Sequence, residues 1–262
     1  MVSHRGQRLF SPPRGTGAGK AALAVTDGVP DLYLQLLAAY GPQGWWPAPG
    51  RAGRKGFDAR GYHPGNYTHP RTPAGRFEVV LGAILTQNTA WTNVEKALAR
   101  LRGAAIRLPG DVSSCPQGRL AALVRASGYY NQKARKLKGI AALLSQPGAL
   151  TPRGAPARTT LLSQWGVGPE TADSILLYAM HVPVFVVDAY TRRFLQRVGI
   201  IGGGESYERI QGIFHDALPP RHALFNEFHA LIVAHAKMHC HAAPVCSGCP
   251  VHPCQYRHSR GT

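Results

Sequence analysis

The amino-acid sequence predicts an all-α fold, and three observations predict it. Apolar residues recur at helical spacing along most of the 262 residues, as in helices that bury one stripe. No stretch of any length alternates apolar and polar residues as a half-buried strand does. The apolar run Val184–Val187 is too short for one and follows Pro183. The breaks are glycine and proline turns of the kind that join helices, among them Gly166-Val167-Gly168 and Gly202-Gly203-Gly204.

The elements follow in order. Residues 1–28 are rich in Gly, Pro, Arg and Lys with little periodicity, so a disordered basic arm is expected there. Asp31–Tyr40 reads as a short amphipathic helix, with Asp31 in its first turn after Pro30. Gly44-Trp45-Trp46-Pro47 comes next. Two adjacent tryptophans before a proline cannot both face one side of a helix. Residues 48–75 form a long irregular insertion, and such loops are usually functional or mobile. Arg76–Gln87 reads as a helix apolar enough to be buried on most sides (Phe77, Val80, Leu81, Ile84, Leu85). The next helix carries Val94, Ala97, Leu98 and Leu101 at i, i+3, i+4, i+7. Further helices are expected at Arg119–Ala126, Gln132–Leu144 and Ala157–Trp165. A helix follows the Gly166–Gly168 hairpin, and another opens on Asp188 and carries Phe194, Leu195 and Val198. Helices at Glu205–Ala217 and Arg221–Lys237 complete the set, the last with Leu224, Phe228, Leu231, Ile232 and His235 on one stripe.

Lys and Arg number 30 against 13 acids, a formal charge of +17 with a pI near 10.2. That surplus points to nucleic acid or another anionic surface. No apolar run reaches the ~20 residues of a membrane span. The run Ala21–Val25 is too short for a signal peptide. A cytoplasmic protein with no membrane partner is expected. Four of the five cysteines fall within Cys240–Cys254, which suits a metal centre in a reducing compartment better than disulfides.

Four groups of residues carry candidate chemistry. Gly166 and Gly168 permit positive φ and leave no Cβ between backbone and ligand. The N–H groups after them open the next helix, where an anion such as a backbone phosphate is favoured; an ordinary αα-hairpin is the alternative. Asp188 stands where a helix begins, and for an isolated aspartate an N-cap is the commoner role. Trp45 and Trp46 are either partly buried core or a stacking wall for a base. Cys240-x5-Cys246-x2-Cys249-x4-Cys254 places four thiolates where one loop can wrap a [4Fe–4S] cluster. A zinc knuckle is the rival, although its pattern is two separated Cys-x2-Cys pairs. Cys115 reads as a structural thiol.

Trp165-Gly166-Val167-Gly168, Thr171-Ala172, and an aspartate, Asp188, seventeen residues after Thr171 together resemble the helix-hairpin-helix and catalytic-Asp signature of the endonuclease III superfamily of DNA glycosylases. The resemblance covers residues 30–256. It implies a two-domain, all-α helix-hairpin-helix glycosylase fold with a C-terminal iron–sulfur loop. Residues 76–182 would form a helical barrel, 29–75 with 183–262 the iron–sulfur domain, and 1–28 a tail. The partner would be double-stranded DNA containing a damaged base, bound by a monomer at the bacterial nucleoid. Asp188 would stabilise the cationic sugar and orient water. Gly166, Val167, Gly168 and Thr171 would hold the DNA backbone. Gln87 and Tyr129 match positions that fill the gap left by the flipped nucleotide. Cys240, Cys246, Cys249 and Cys254 match the cluster ligands, with outer gaps each one residue shorter than in the family. Glu170 departs from the family: bifunctional members carry a lysine there that forms a Schiff base and cuts the strand. A carboxylate cannot do so, which implies a monofunctional enzyme with weak or absent lyase activity. Trp45, Trp46, Pro47 and Trp91 resemble the base-sandwiching positions of the 3-methyladenine glycosylase branch, where Phe usually matches Trp91. Lys237 matches a lysine near the pocket in that branch, and is otherwise a solvated helix end. An alkylated purine is therefore the expected substrate. The rivals are an oxidised-pyrimidine glycosylase with lyase activity and a catalytically silent damage-binding protein.

Overall fold

The computed structural model describes residues 28–259 and, among them, twelve α-helices and no strand. They are α1 (Val29–Tyr40), α2 (Pro73–Leu85), α3 (Trp91–Gly103), α4 (Pro109–Ser114), α5 (Gln117–Leu123), α6 (Tyr130–Leu144), α7 (Arg158–Leu162), α8 (Pro169–Ser174), α9 (Ala189–Val198), α10 (Tyr207–Ala217), α11 (His222–Met238) and α12 (Gln255–His258). The basic arm expected over residues 1–28 lies outside the described residues except for Gly28. Among the described residues the chain divides into two compact units, residues 45–182 and residues 28–44 with 183–259. The 48–75 insertion, with Trp45–Pro47 before it, clusters with the unit of α2–α8, whereas the sequence reading assigned 29–75 to the other unit.

The unit of residues 45–182 is built around α2. Its residues are buried on all sides from Arg76 to Leu85 apart from Glu78, as the apolar run predicts. The helix starts three residues earlier than expected because Thr72 caps it, accepting a 3.1 Å bond from Gly75 N, with Pro73 in the first turn. It ends at Leu85, two residues early, and Asn88 then turns at φ +50°. Arg76 is buried and donates to the Ala179 carbonyl. That carbonyl belongs to a π-helical turn, Ile175–Ala179, that extends α8. The 48–75 insertion is irregular, as expected, but it is tied down. Ala48 N donates to Gly61 O at 2.9 Å. Fully buried His63 places its two ring nitrogens 3.0 Å from Trp46 O and 2.7 Å from Asn66 O.

The other unit packs α1 against α11. Val29, Leu32, Tyr33 and Leu36 form the buried face of α1, and Tyr33 meets Phe228 edge-on at 5.4 Å. Phe185 stacks on Phe214 at 3.6 Å and meets Phe225 and Phe228 edge-on. The segment before Asp188 is extended and held on α10. Phe185 N donates to His215 Nε2, Gln211 Nε2 to Phe185 O, and Val187 N to the Tyr207 hydroxyl. This anchoring fixes where α9 begins.

Candidate active site

Asp188 is the N-cap of α9, the alternative that its sequence position allows. Oδ1 accepts from Thr191 N at 2.7 Å and from Thr191 Oγ1 at 2.9 Å. The second oxygen is not spent on the cap: Oδ2 lies 3.5 Å from His229 Nε2 on α11. The Asp188 side chain is 14% exposed. Burial alone would raise its pKa, but the neighbouring His229 and the two Thr191 bonds outweigh it and hold the carboxyl below its ordinary value. The group is an anion at neutral pH, screened from bulk water, with one oxygen directed at an imidazole. His229 escaped the sequence reading. Its place four residues after Phe225 and four before Val233 marks it as core-facing, but nothing local ties it to Asp188.

The aromatic residues assemble within the 45–182 unit. Trp46 sits at the centre, 5.4 Å from Trp91, 6.0 Å from Trp45 and 5.1 Å from Tyr178, ring centroid to centroid. Trp46 and Pro47 are buried, and Trp45 and Trp91 are half-buried. The rings meet edge-on or tilted, the geometry that aromatic quadrupoles favour. The Trp46 indole lies on α2 at Gly82, where an added Cβ would stand 3.0 Å from its Nε1. Glu95 anchors Trp91 by accepting from its Nε1 at 3.0 Å. Tyr178 was not singled out in the sequence, because a tyrosine in a continuous apolar helix reads only as core. Lys237 lies exposed in the last turn of α11, in the unit that does not hold the tryptophans.

At the hairpin the two glycines differ. Gly166 has φ +76°, and a Cβ there would strike the Lys136 side chain. Gly168 does not take the positive φ expected of it. Its φ is −91°, it caps α8, and no atom lies within 4 Å of where a Cβ would stand. Val167 and Thr171 are buried, and Glu170 is exposed in the first turn of α8. Gln87 bridges to this hairpin. Its Nε2 donates to Gly166 O at 3.1 Å and to Thr171 Oγ1 at 2.9 Å, and its Oε1 accepts from Lys136. Tyr129 is 66% exposed in a left-handed conformation, φ +45°, at the N-cap of α6. Non-glycine residues adopt that conformation only when their surroundings enforce it. Two cations flank the exposed Trp165 beside the hairpin, with the Arg135 guanidinium 4.2 Å from the ring. Lys133, on α6, is 2% exposed.

The four C-terminal cysteines are unbridged and line one small cavity with Arg197, His235 and Tyr256. Arg197 Nη1 donates to Cys240 Sγ at 3.2 Å and to His241 O, and Arg193 donates to Cys240 O at 2.8 Å. His235 Nε2 lies 3.9 Å from Cys249 Sγ, and its Nδ1 lies 2.9 Å from the Tyr40 hydroxyl. Burial pushes the Cys249 thiol up, opposed by a Val251 backbone bond and reinforced by its three cysteine neighbours. Burial also drives His235 down to about 4, so it is neutral at pH 7. Among the described residues no three His, Cys, Asp or Glu side chains stand close enough to hold a single metal ion. The donor chemistry of four soft sulfurs around one cavity, with a guanidinium on one of them, suits a thiolate-held cluster.

Residues 81–220 match the model of the HhH-GPD superfamily base excision DNA repair proteins. A Methanocaldococcus jannaschii protein provisionally named a DNA repair glycosylase is 38% identical over 227 residues, covering 84% of this chain and 92% of that one. The endonuclease III of Sulfolobus acidocaldarius is 26% identical over 184 residues, 69% of this chain and 82% of that one. Among solved structures, the H. pylori 3-methyladenine DNA glycosylase bound to 1,N6-ethenoadenine superposes with a TM-score of 0.62 at 28% identity, covering 82% of this chain and 98% of that one. Signature, helical fold and relatives agree: this chain belongs to the endonuclease III, or HhH-GPD, superfamily of base excision DNA repair proteins.

Proposed function

We propose that the protein is a monofunctional DNA glycosylase that excises N-alkylated purines. The observation that carries this reading is the cluster of Trp45, Trp46, Trp91 and Tyr178 in one unit. An N-alkylated purine such as 3-methyladenine or 7-methylguanine carries positive charge. Electron-rich ring faces attract a desolvated cation by about 2 kcal/mol. The H. pylori relative, a 3-methyladenine DNA glycosylase, supports this substrate class over the oxidised pyrimidines.

A cationic base needs no general acid. The N-glycosidic bond breaks with its electron pair going to the base, which departs neutral and leaves an oxocarbenium-like deoxyribose. The Asp188 carboxylate, already anionic, stabilises that cation, as carboxylates do in glycosidases. Its oxygen near His229 also orients the water that adds to the anomeric carbon, and the water's proton passes to the carboxylate or to solvent. Gln87 and Tyr129 occupy the space of the extruded nucleotide, extrusion itself costing a few kcal/mol. The Gly166–Thr171 hairpin holds a backbone phosphate. Cys240, Cys246, Cys249 and Cys254 would hold a [4Fe–4S] cluster, which would supply structural closure of the loop and no bond cleavage. Glu170 stands where an imine-forming lysine would be needed, so strand cutting is weak or absent.

A panel of duplexes with single lesions, with chromatography of the freed base, tests this reading. Release of methylated purines is expected, together with no borohydride-trapped adduct on abasic DNA. Release of oxidised pyrimidines with strong trapping would replace it by an endonuclease III-like activity, the activity in the name of the Sulfolobus relative. No release by wild type on any lesion would leave a silent damage-binding protein. An absorbance band near about 400 nm, with iron and sulfide in equal amounts, tests the cluster.

A further inference from the structure

Lys133 is almost fully buried, at 2% exposure, and among the described residues its ammonium meets carbonyls rather than an acid. Its ammonium donates to two backbone carbonyls, Leu85 O at 2.8 Å and Ser127 O at 2.6 Å. Each carbonyl lies two residues before a residue proposed to enter the duplex, Leu85 before Gln87 and Ser127 before Tyr129. Leu85 closes α2, so its carbonyl is among those a helix leaves without an internal partner, at the end where positive charge is favoured. The Lys133 amide also donates to Tyr129 O at 2.9 Å, and Tyr129 sits in its left-handed conformation at that point. One side chain thus joins two segments far apart in sequence and fixes their spacing.

We propose that Lys133 is a positioning residue that sets the separation of the Gln87 and Tyr129 segments, so that both enter the gap left by one extruded nucleotide. This rests on the reading that Gln87 and Tyr129 fill that gap. The residue touches neither the base nor the sugar. A buried methionine of similar length would fill the volume but leave two buried carbonyls unbonded.

The test uses full-length protein and a duplex with 2-aminopurine opposite a non-cleavable abasic analogue. Insertion unstacks the 2-aminopurine and raises its fluorescence. Lys133→Met is expected to cut the enhancement at saturating protein by about 5-fold or more, while affinity for undamaged duplex changes less than about 2-fold. Lys133→Arg, which keeps charge and donors, is expected to recover most of the signal. Gln87→Ala and Tyr129→Ala report on the underlying reading. If both leave the enhancement intact, that reading fails. If they abolish it while Lys133→Met keeps it within about 2-fold of wild type, the proposal alone fails. Should Lys133→Met not fold, pH serves instead. Burial, then the charge of Lys136, lowers the Lys133 pKa to about 8, so the enhancement is expected to fall with a midpoint near that pH. Lys136 shares the helix, and burial lowers its pKa too; Arg125 lies in the turn that supplies Ser127. The midpoint is expected to persist in Lys136→Arg. An enhancement flat to pH 9.5 in that variant would overturn the proposal.

Discussion

Asp188 does two jobs with two oxygens, and this makes its test unusually clean. Oδ1 caps α9 and Oδ2 faces His229. Asparagine caps helices as well as aspartate does, so Asp188→Asn is expected to keep the fold within about 1 kcal/mol by thermal denaturation. Base release should nevertheless fall by about 100-fold or more, because the amide carries no charge against the sugar cation. Comparable loss of stability would mean that the residue is only a cap. His229 supplies the second residue-scale prediction. Burial pushes the Asp188 carboxyl up and the His229 charge leads the groups holding it down. A depressed folded-state value stabilises the protein at neutral pH, and that contribution disappears only as pH falls below the ordinary aspartate range. His229→Gln removes the leading cause of the depression, so the acid limb of the pH–rate profile should move to higher pH. An unmoved limb would show that His229 does not tune the carboxylate.

At the scale of the element, the hairpin separates a glycine needed by the fold from one available to a ligand. Gly166 needs its φ of +76° and has no room for a Cβ beside Lys136. Gly166→Ala is therefore expected to cost about 1–2 kcal/mol in stability as well as DNA affinity. Gly168 has ordinary φ and open space where a Cβ would stand. Gly168→Ala should leave the melting temperature unchanged and weaken DNA binding, since the added methyl meets only the ligand. Equal loss of stability in both would contradict this division. The same hairpin shows what the sequence could reveal. Its existence and its helices were legible, because glycine turns and 3.6-residue periodicity are local signals. The φ of Gly168 was not, because two glycines flanking one valine look alike in sequence. Nor was the bond from Gln87 to Gly166 and Thr171, which joins residues about eighty positions apart. Periodicity placed α2 and missed its Thr72-Pro73 start, although a cap residue followed by proline is itself a local start signal. Nor could it show that Lys133 is buried, because a lysine satisfied by carbonyls has the same spacing as a solvated one.

At the scale of the whole molecule, charge and aromatic side chains divide affinity from choice. The surplus of 30 basic over 13 acidic residues is spread from the N-terminus to residues 257 and 260, and all four tryptophans lie within 45–182. Basic groups neutralise phosphates whatever the sequence, and each phosphate contact releases counterions, so that affinity falls steeply with salt. Cation–π stacking of a desolvated base is screened far less, because the charge and the rings are out of water. Raising salt from about 50 to about 200 mM should therefore weaken binding to undamaged duplex by about 1000-fold if some six phosphates are contacted. Binding to a duplex bearing an alkylated purine should weaken by the same factor, leaving the ratio of the two within about 3-fold. Competition binding with matched damaged and undamaged duplexes at the two salt concentrations measures this. A ratio that collapsed with salt would mean that lesion choice also rests on exposed charge, and the tryptophan cluster would then be core rather than cage.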